Sequence, residues 1–331
     1  MSSHLLDVRQ LTVRYATPSG SFTAVDDVSF HIDEGEVLAL IGESGCGKTS
    51  LGKALVGLQP VQNGNIHFRE TNLATLSARK LRPLRRAIQM VFQDPLSALD
   101  PRQRARKAIE LPLSLHSCLS RQARREKAAQ LFNDVGLDRS LMDRFPHQLS
   151  GGQRQRLNIA RALAPQPQLI VCDEPVSALD VSLQKQIVDL LQALQQRTGV
   201  SILFISHDLS VVASIASRIA VMYAGHIVEI LPGAQLWSHA AHPYTRLLLS
   251  TIPGASPDQR RLRQAPPDEE PPVNPYELSE GCRFQQRCAY VQADCRKRSP
   301  SLAEHGMGHQ LACHHPYIPS EQTLIIRRAV S

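Results

Sequence analysis

Gly42–Thr49 reads GESGCGKT, in which three glycines lead to a lysine and a hydroxyl residue at G-x-x-x-x-G-K-[ST] spacing. Glycines let a backbone turn so that its N–H groups converge on an anion, while the ammonium and hydroxyl add charge and a cation ligand. Read as a phosphate-binding loop, the stretch offers Gly42, Ser44, Gly45, Cys46, Gly47, Lys48, Thr49 and Ser50 to a nucleotide. Lys48 then reaches the β and γ oxygens, and the Thr49 hydroxyl ligates Mg²⁺. A second chemistry-bearing run is LIVCDEP, where Asp173 and Glu174 close an apolar segment. Asp173 suits Mg²⁺, directly or through water, and Glu174 suits a base that polarises the water attacking the γ-phosphate. Without a phosphate loop upstream, the same two acids would read as a solvated turn. Cys172 fills an ordinary strand position.

A third run, LSGGQRQRLNIARAL (Leu149–Leu163), opens a helical pattern with a hydroxyl and two glycines. Ser150, Gly151 and Gly152 place a hydroxyl and bare N–H groups at a helix N-terminus, itself an anion site. The chain therefore carries two phosphate-binding devices. Gln93, ending the apolar run of MVFQDP, and His207, ending LFISHD, are weaker signals alone; in this order they fall in with the rest.

These groups need a scaffold that brings strand ends together. EVLALIG (Glu36–Gly42), QLIVCDEP (Gln168–Pro175) and SILFISHD (Ser201–Asp208) are short, largely apolar runs ending in glycine or polar residues. That pattern predicts strands buried on both faces of a parallel sheet, with function at their C-terminal ends. Helices are expected at Lys48–Val56, Arg154–Ala164 and Leu183–Gln196. LLDVRQLTVRY and AVDDVSFHI alternate with period two and predict half-buried antiparallel strands. Between about Asp94 and Gln148 strand signals vanish, and Ala128, Leu131, Phe132 and Val135 share a helix face, predicting an inserted helical subdomain. The order is α/β.

The 331 residues, 42% hydrophobic and 20% charged, suit a soluble globular chain with a substantial core. No apolar run approaches the ~18–20 residues that span a bilayer, and MSSHLLDVRQ lacks a secretory signal pattern, so a cytosolic location is expected. The net charge of +7 concentrates in arginine clusters at Lys80–Arg86, Arg102–Arg106 and Arg121–Lys127. Solvated helix faces account for these most simply, and contact with anionic headgroups or an acidic partner is the next reading. Nucleic-acid binding is disfavoured because no aromatic residues are interleaved for base stacking.

Taken together, the runs resemble an ATP-binding cassette (ABC) ATPase over roughly residues 5–235. GESGCGKT is similar to Walker A, Gln93 to the Q-loop, LSGGQ to the ABC signature, LIVCDE to Walker B, SALD (Ser177–Asp180) to the D-loop and His207 to the H-switch. The resemblance implies a P-loop NTPase core with an antiparallel β subdomain and a helical subdomain at about 94–165. It implies ATP and Mg²⁺ as ligands, with Glu174, His207 and Gln93 catalytic and Thr49, Gln93 and Asp173 around the Mg²⁺. Tyr15 resembles the aromatic residue that stacks on adenine; Phe22 serves if the loop register differs. In this family the signature of one subunit caps the γ-phosphate on another's Walker A, so Ser150, Gly151, Gly152 and Gln153 are half of a composite site. Two phosphate devices then belong to two different active sites.

Beyond the cassette, residues 236–331 form a further segment. VMYAGHIVEI, HPYTRLLLSTIP (His242–Pro253) and ALDVSLQKQIVDLL resemble the oligopeptide/dipeptide/nickel importer subfamily, as does the tail CRFQQRCAYVQADC with LACHHP. That resemblance implies an ATPase driving peptide import, or nickel or metal-chelate import. Its partners are two membrane permease subunits, a second ABC ATPase (a paralogue or itself), a substrate-binding protein outside and no nucleic acid. The place of work is the cytoplasmic face of the membrane. Pro253–Pro275, rich in proline and charge, reads as a linker or wrapping segment. Four of the seven cysteines follow it: Cys282, Cys288, Cys295 and Cys313, with gaps of five, six and seventeen residues. A reducing cytosol argues against disulfides, and paired C-x-x-C knuckles are absent. A 4Fe–4S cluster, as in similar tails of the subfamily, is the leading reading; Zn²⁺ and unligated thiols are the alternatives. His305, His309, His314 and His315 are substitute ligands or plain surface. Two other classes fit less well. Translation-type ABC ATPases carry two cassettes and repair-type ones a long coiled coil, neither seen here, while a metal-sensing module leaves the cassette unexplained.

Overall fold

In the computed structural model, residues 4–18, 20–251, 274, 276, 280–306 and 308–317 are described. The period-two stretches form β1 (Leu6–Thr17) and β2 (Gly20–Ile32), an antiparallel pair in which Val8 lies opposite Phe30 and Tyr15 opposite Phe22. β1 also pairs with β4 (Asn63–Phe68), and β4 with β5 (Thr71–Asn72), giving a four-stranded sheet in the order β2-β1-β4-β5.

The larger sheet holds β3 (Val37–Ile41), β6 (Ile88–Val91), β7 (Leu169–Asp173), β8 (Ser201–Ser206), β9 (Arg218–Tyr223), β10 (His226–Pro232), β11 (Ala303–Gly306) and β12 (His309–Leu311). Its order is β11-β12-β10-β9-β3-β8-β7-β6, parallel from β9 to β6 and antiparallel beyond β9. Every residue of β3, β7 and β8 is buried, because both faces are covered. Val37, Ala39, Ile41, Ile202 and Phe204 enter one core, while Leu38, Leu40, Leu203 and Ile205 enter the other, beside β1 and β2. Each of the valine, leucine, isoleucine and phenylalanine side chains gains about 1.5–3 kcal/mol by burial, which fixes the register that carries the site.

Helix α1 (Lys48–Leu55) follows β3, and α2 (Ala78–Leu84) precedes β6. Between β6 and β7 the chain is helical: α3 (Ala105–His116), α4 (Arg121–Asp134) and α5 (Gly151–Leu163), with short 3₁₀ turns. α6 (Val181–Thr198) joins β7 to β8, and α7 (Leu209–Ile215) joins β8 to β9. α5 starts three residues before the expected Arg154. Ser150 and Gln153 form a reciprocal capping box that draws both glycines into the first turn. α6 overruns the expected Leu183–Gln196 at both ends, capped by the Asp180 side chain before it and by left-handed Gly199 after it.

After α8 (Leu236–His239) and α9 (Pro243–Ser250), the linker expected at Pro253–Pro275 lies outside the described residues, Asn274 excepted. The tail is more regular than its sequence suggests, since β11 and β12 extend the main sheet through β10. Leu236, Tyr244, Leu249 and Phe284 join the same core as Phe204. Among the described residues, no helix is long and apolar enough to cross a membrane.

Candidate active site

β3 delivers the chain into the glycine-rich loop. Gly42 (φ 154°) and Gly47 (φ 108°) occupy backbone conformations that side chains rarely adopt. A Cβ at Gly42 would lie 2.1 Å from the Met222 carbonyl oxygen, and one at Gly47 2.2 Å from that of Ala24, so both positions exclude a side chain. Lys48, 4% exposed, donates to the carbonyls of Gly42 (2.7 Å) and Glu43 (2.9 Å) and sits 3.8 Å from Cys46 Sγ. The ammonium thus stays inside the ring of the loop. Burial raises the Cys46 thiol pKa, keeping it protonated there despite the neighbouring lysine.

Thr49 Oγ1 donates to Asp173 Oδ1 at 3.0 Å, joining the first turn of α1 to the end of β7. Asp173 is 2% exposed, and burial pushes its carboxyl pKa upward against the Thr49 hydrogen bond. A buried carboxylate beside a hydroxyl is a hard oxygen pair, the donor set Mg²⁺ takes, and a dication there would offset the cost of ionising Asp173. The donors fit the ion.

One residue on, Glu174 has φ 44°, uncommon for a residue with a side chain, and its N–H is tied to the Ile205 carbonyl at 3.0 Å. Such strain persists only where the surroundings impose it. Here it aims the carboxylate at two neighbours. Gln93 Nε2 donates to Oε2 at 2.9 Å, and His207 Nδ1 lies 3.3 Å from Oε1. Residues from the ends of β6, β7 and β8 therefore meet on one carboxylate, next to the Thr49–Asp173 pair.

The signature stretch stands apart. Ser150 Oγ accepts from Gln153 N–H (3.2 Å), and Gln153 Oε1 accepts from Ser150 N–H (2.9 Å). Ser150 and Gly151 are exposed, Gly152 is buried, and α5 packs towards Leu179 and Leu183 of the segment after β7. Among the described residues, no hydrogen bond or ion pair joins Ser150–Gln153 to Gly42–Ser50.

Tyr15 and Phe22 share a rung of β1–β2 but contact different partners. The Tyr15 hydroxyl donates to Ser50 Oγ at 3.1 Å, beside the phosphate loop, while Phe22 packs against Tyr276 with ring centroids 4.8 Å apart. Sequence reading missed the residues that grip the loop from outside. Tyr244 Oη accepts from Glu43 N–H (2.9 Å), Tyr276 Oη donates to the Gly45 carbonyl (2.6 Å), and Arg287 donates to both Glu43 carboxylate oxygens (2.7 and 2.8 Å). They come from some 200 residues downstream and belong to no local spacing pattern.

The four late cysteines fall in one neighbourhood. Cys282 N–H donates to the Cys295 carbonyl at 2.7 Å, and the Cys313 thiol feels the other three electrostatically. Burial pushes Cys282 up to about 11 and Cys313 up to about 12, with the neighbouring thiols adding to the rise; Cys288 is also raised. Four thiolates here need a compensating positive charge. Among the described residues, no three of these sulfurs lie within 4.8 Å of one another, whereas Asp294, Cys295 and His315 do. Of the histidines considered as substitutes, His309 pairs with buried Glu229 (2.8 Å), His314 with the Arg298 carbonyl and His315 with Asp294. His305 packs edge-on against the His309 ring.

The ABC transporter family model matches residues 25–177, and that of the oligopeptide/dipeptide transporter C-terminal region matches residues 228–295. The chain is 46% identical to a probable peptide ABC transporter ATP-binding protein of Sinorhizobium fredii, over 95% of this chain and 90% of that one. It is 44% identical to a putative oligopeptide transport ATP-binding protein of Bacillus subtilis, over 94% and 95%. Among solved structures, a dimeric ATP-binding cassette in a post-hydrolysis state with ADP and phosphate superposes with a TM-score of 0.64 at 30% identity, covering 69% of this chain and 98% of that one. A cassette of a Clostridium perfringens ABC transporter complex gives the same score at 26% identity, covering 72% and 92%.

Proposed function

The chain belongs to the ATP-binding subunits of ABC transporters, and from that premise we propose that it hydrolyses ATP to drive uptake of peptides across the cell membrane. One observation carries the catalytic part: β3, β6, β7 and β8 end together, uniting Lys48, Thr49–Asp173 and Gln93–Glu174–His207. Mg²⁺, held by Thr49 and Asp173 with Gln93 close by, would supply charge neutralisation on the β and γ oxygens. Lys48 exchanges its loop carbonyls for phosphate oxygens. Glu174 accepts a proton from the attacking water, while Gln93 and His207 orient that carboxylate and the transferred group. Ser150–Gln153, at an exposed helix N-terminus, is reserved for the nucleotide of a second ATPase subunit, a paralogue or itself. Tyr15, beside Ser50, is the better placed of the two aromatic residues to stack on adenine.

The peptide cargo follows the names of the relatives and the match at residues 228–295. Two permease subunits at the cytoplasmic face and an external binding protein complete the assembly. The division into a nucleotide-binding domain, 1–235, with a helical part at about 94–165, and an extension, 236–331, is then functional, since both share one core. ATP-driven accumulation of a dipeptide or oligopeptide in proteoliposomes holding the assembled complex tests the whole reading. Nickel uptake with no peptide uptake would overturn the cargo. Within it, Lys48→Ala is expected to weaken ATP binding at least tenfold in a nucleotide titration, because a buried charge-assisted contact to phosphate is lost.

For the extension we infer a 4Fe–4S cluster on Cys282, Cys288, Cys295 and Cys313. Zn²⁺ ligated by four thiolates, with bonds of about 2.3 Å, draws sulfurs to about 3.8 Å apart. The wider spacing here suits a larger body, and a cluster supplies the cation charge that four thiolates demand. Its role is a staple for a segment with few large apolar residues. Anaerobically purified protein is expected to be brown, with iron and sulfide each near about four per chain. Stoichiometric zinc without iron, from iron-replete anaerobic cultures, would overturn this assignment.

A further inference from the structure

Glu43 places a carboxylate inside the phosphate-binding loop, where an anionic nucleotide would meet it unfavourably. Arg287 answers it with a two-pronged pair at 2.7 and 2.8 Å, and this bond raises the arginine's pKa above its ordinary value. The guanidinium also lies 5.8 Å from the ring centroids of Tyr223 and Phe284, which fix its plane. Arg287 immediately precedes Cys288, and Arg283 immediately follows Cys282. Arg283 in turn donates to Asp26 at 2.9 Å, and Asp26 N–H donates to the Gly225 carbonyl, whose own N–H holds the Cys46 carbonyl. Both arginines that hold the cassette thus sit next to thiols in the chain. Ordering Cys282 and Cys288 orders them too.

We propose that Arg287 is a positioning residue of the phosphate-binding loop, through which the four-thiol segment sets nucleotide affinity. The proposal rests on the reading of Gly42–Ser50 as the nucleotide loop. Arg287 never touches the phosphates; it cancels the Glu43 charge and holds that side chain outward. Removing it frees one carboxylate beside the incoming anion. Because binding couplings are reciprocal, nucleotide in the loop must equally tighten the thiol segment.

The test uses the full-length chain and titration with ATP. Arg287→Ala is expected to raise the ATP Kd about fivefold, the size of one half-exposed bidentate pair, and to raise KM in the assembled complex with kcat unchanged. Arg287→Lys keeps the charge but loses the two-pronged geometry and the ring contacts, so it should recover only part of the loss. In a Glu43→Gln background, Arg287→Ala should have no effect, because no carboxylate is left to neutralise. Cys288→Ser should weaken binding like Arg287→Ala, again only where Glu43 is present. Unchanged affinity in either variant overturns the proposal, and so does a loss that persists beside Glu43→Gln, the outcome of simple misfolding. Lys48→Ala keeps the two readings apart: if it too leaves ATP binding intact, the nucleotide reading itself has failed.

Discussion

Glu174→Gln is expected to bind ATP with unchanged Kd while releasing phosphate about 10²–10⁴ times more slowly than the wild type, the range for losing a positioned general base. The amide fits the same space. Its oxygen still accepts from Gln93 or faces His207, and the backbone at φ 44° remains tied to the Ile205 carbonyl. Lys48 and the Thr49–Asp173 pair are untouched, so the groups proposed to hold phosphate and Mg²⁺ keep their positions. What disappears is the carboxylate that Gln93 and His207 hold in place to take a proton from water. Single-turnover phosphate release alongside a nucleotide titration separates the two effects. Hydrolysis at the wild-type rate would remove Glu174 from its role and move the base elsewhere, with His207 next in line.

The contrast between Glu174 and Arg287 shows what the sequence could display. Glu174, Asp173, Lys48 and Thr49 were legible because parallel strands place chemistry at their C-terminal ends, and short buried runs such as VLALI and LIVCD mark those ends. The helix N-terminus at Ser150 was readable for a similar local reason, a side chain capping its own turn, whereas the start expected at Leu183 overlooked the Asp180 cap. By contrast, the Glu43–Arg287 and Gly45–Tyr276 contacts join distant segments through single side chains, and a lone arginine in a polar tail has no period or spacing to betray it. β11 and β12 were hidden for a different reason. They are three or four residues long, polar on much of their surface, and stabilised by pairing with β10 rather than by their own pattern. Sequence resemblance favours Tyr15 and keeps Phe22 for a different loop register; the two share one rung, and only the third dimension separates Ser50 from Tyr276 as their partners.

Ser150→Arg is expected to reduce turnover of the assembled transporter by about a hundredfold or more while leaving the ATP affinity of the isolated chain unchanged. Ser150 caps α5, and its exposed hydroxyl and the following N–H groups form a site for negative charge. Withdrawing one preorganised donor from a transition state costs about 10²–10³ in rate, and a bulky arginine also keeps two subunits from closing over the phosphate. Within its own chain the signature loop makes no hydrogen bond or ion pair with Gly42–Ser50 among the described residues, so the first binding event should not sense the change. Loss of the cap carries a separate penalty of about 1 kcal/mol in stability, seen as a lower melting temperature in the isolated chain. Ser150→Ala calibrates that penalty, since it removes the cap without the bulk and charge. Should Ser150→Arg weaken ATP binding severely in the isolated chain while Ser150→Ala does not, the signature would be acting on its own chain's nucleotide. The two phosphate-binding devices would then belong to one site instead of two.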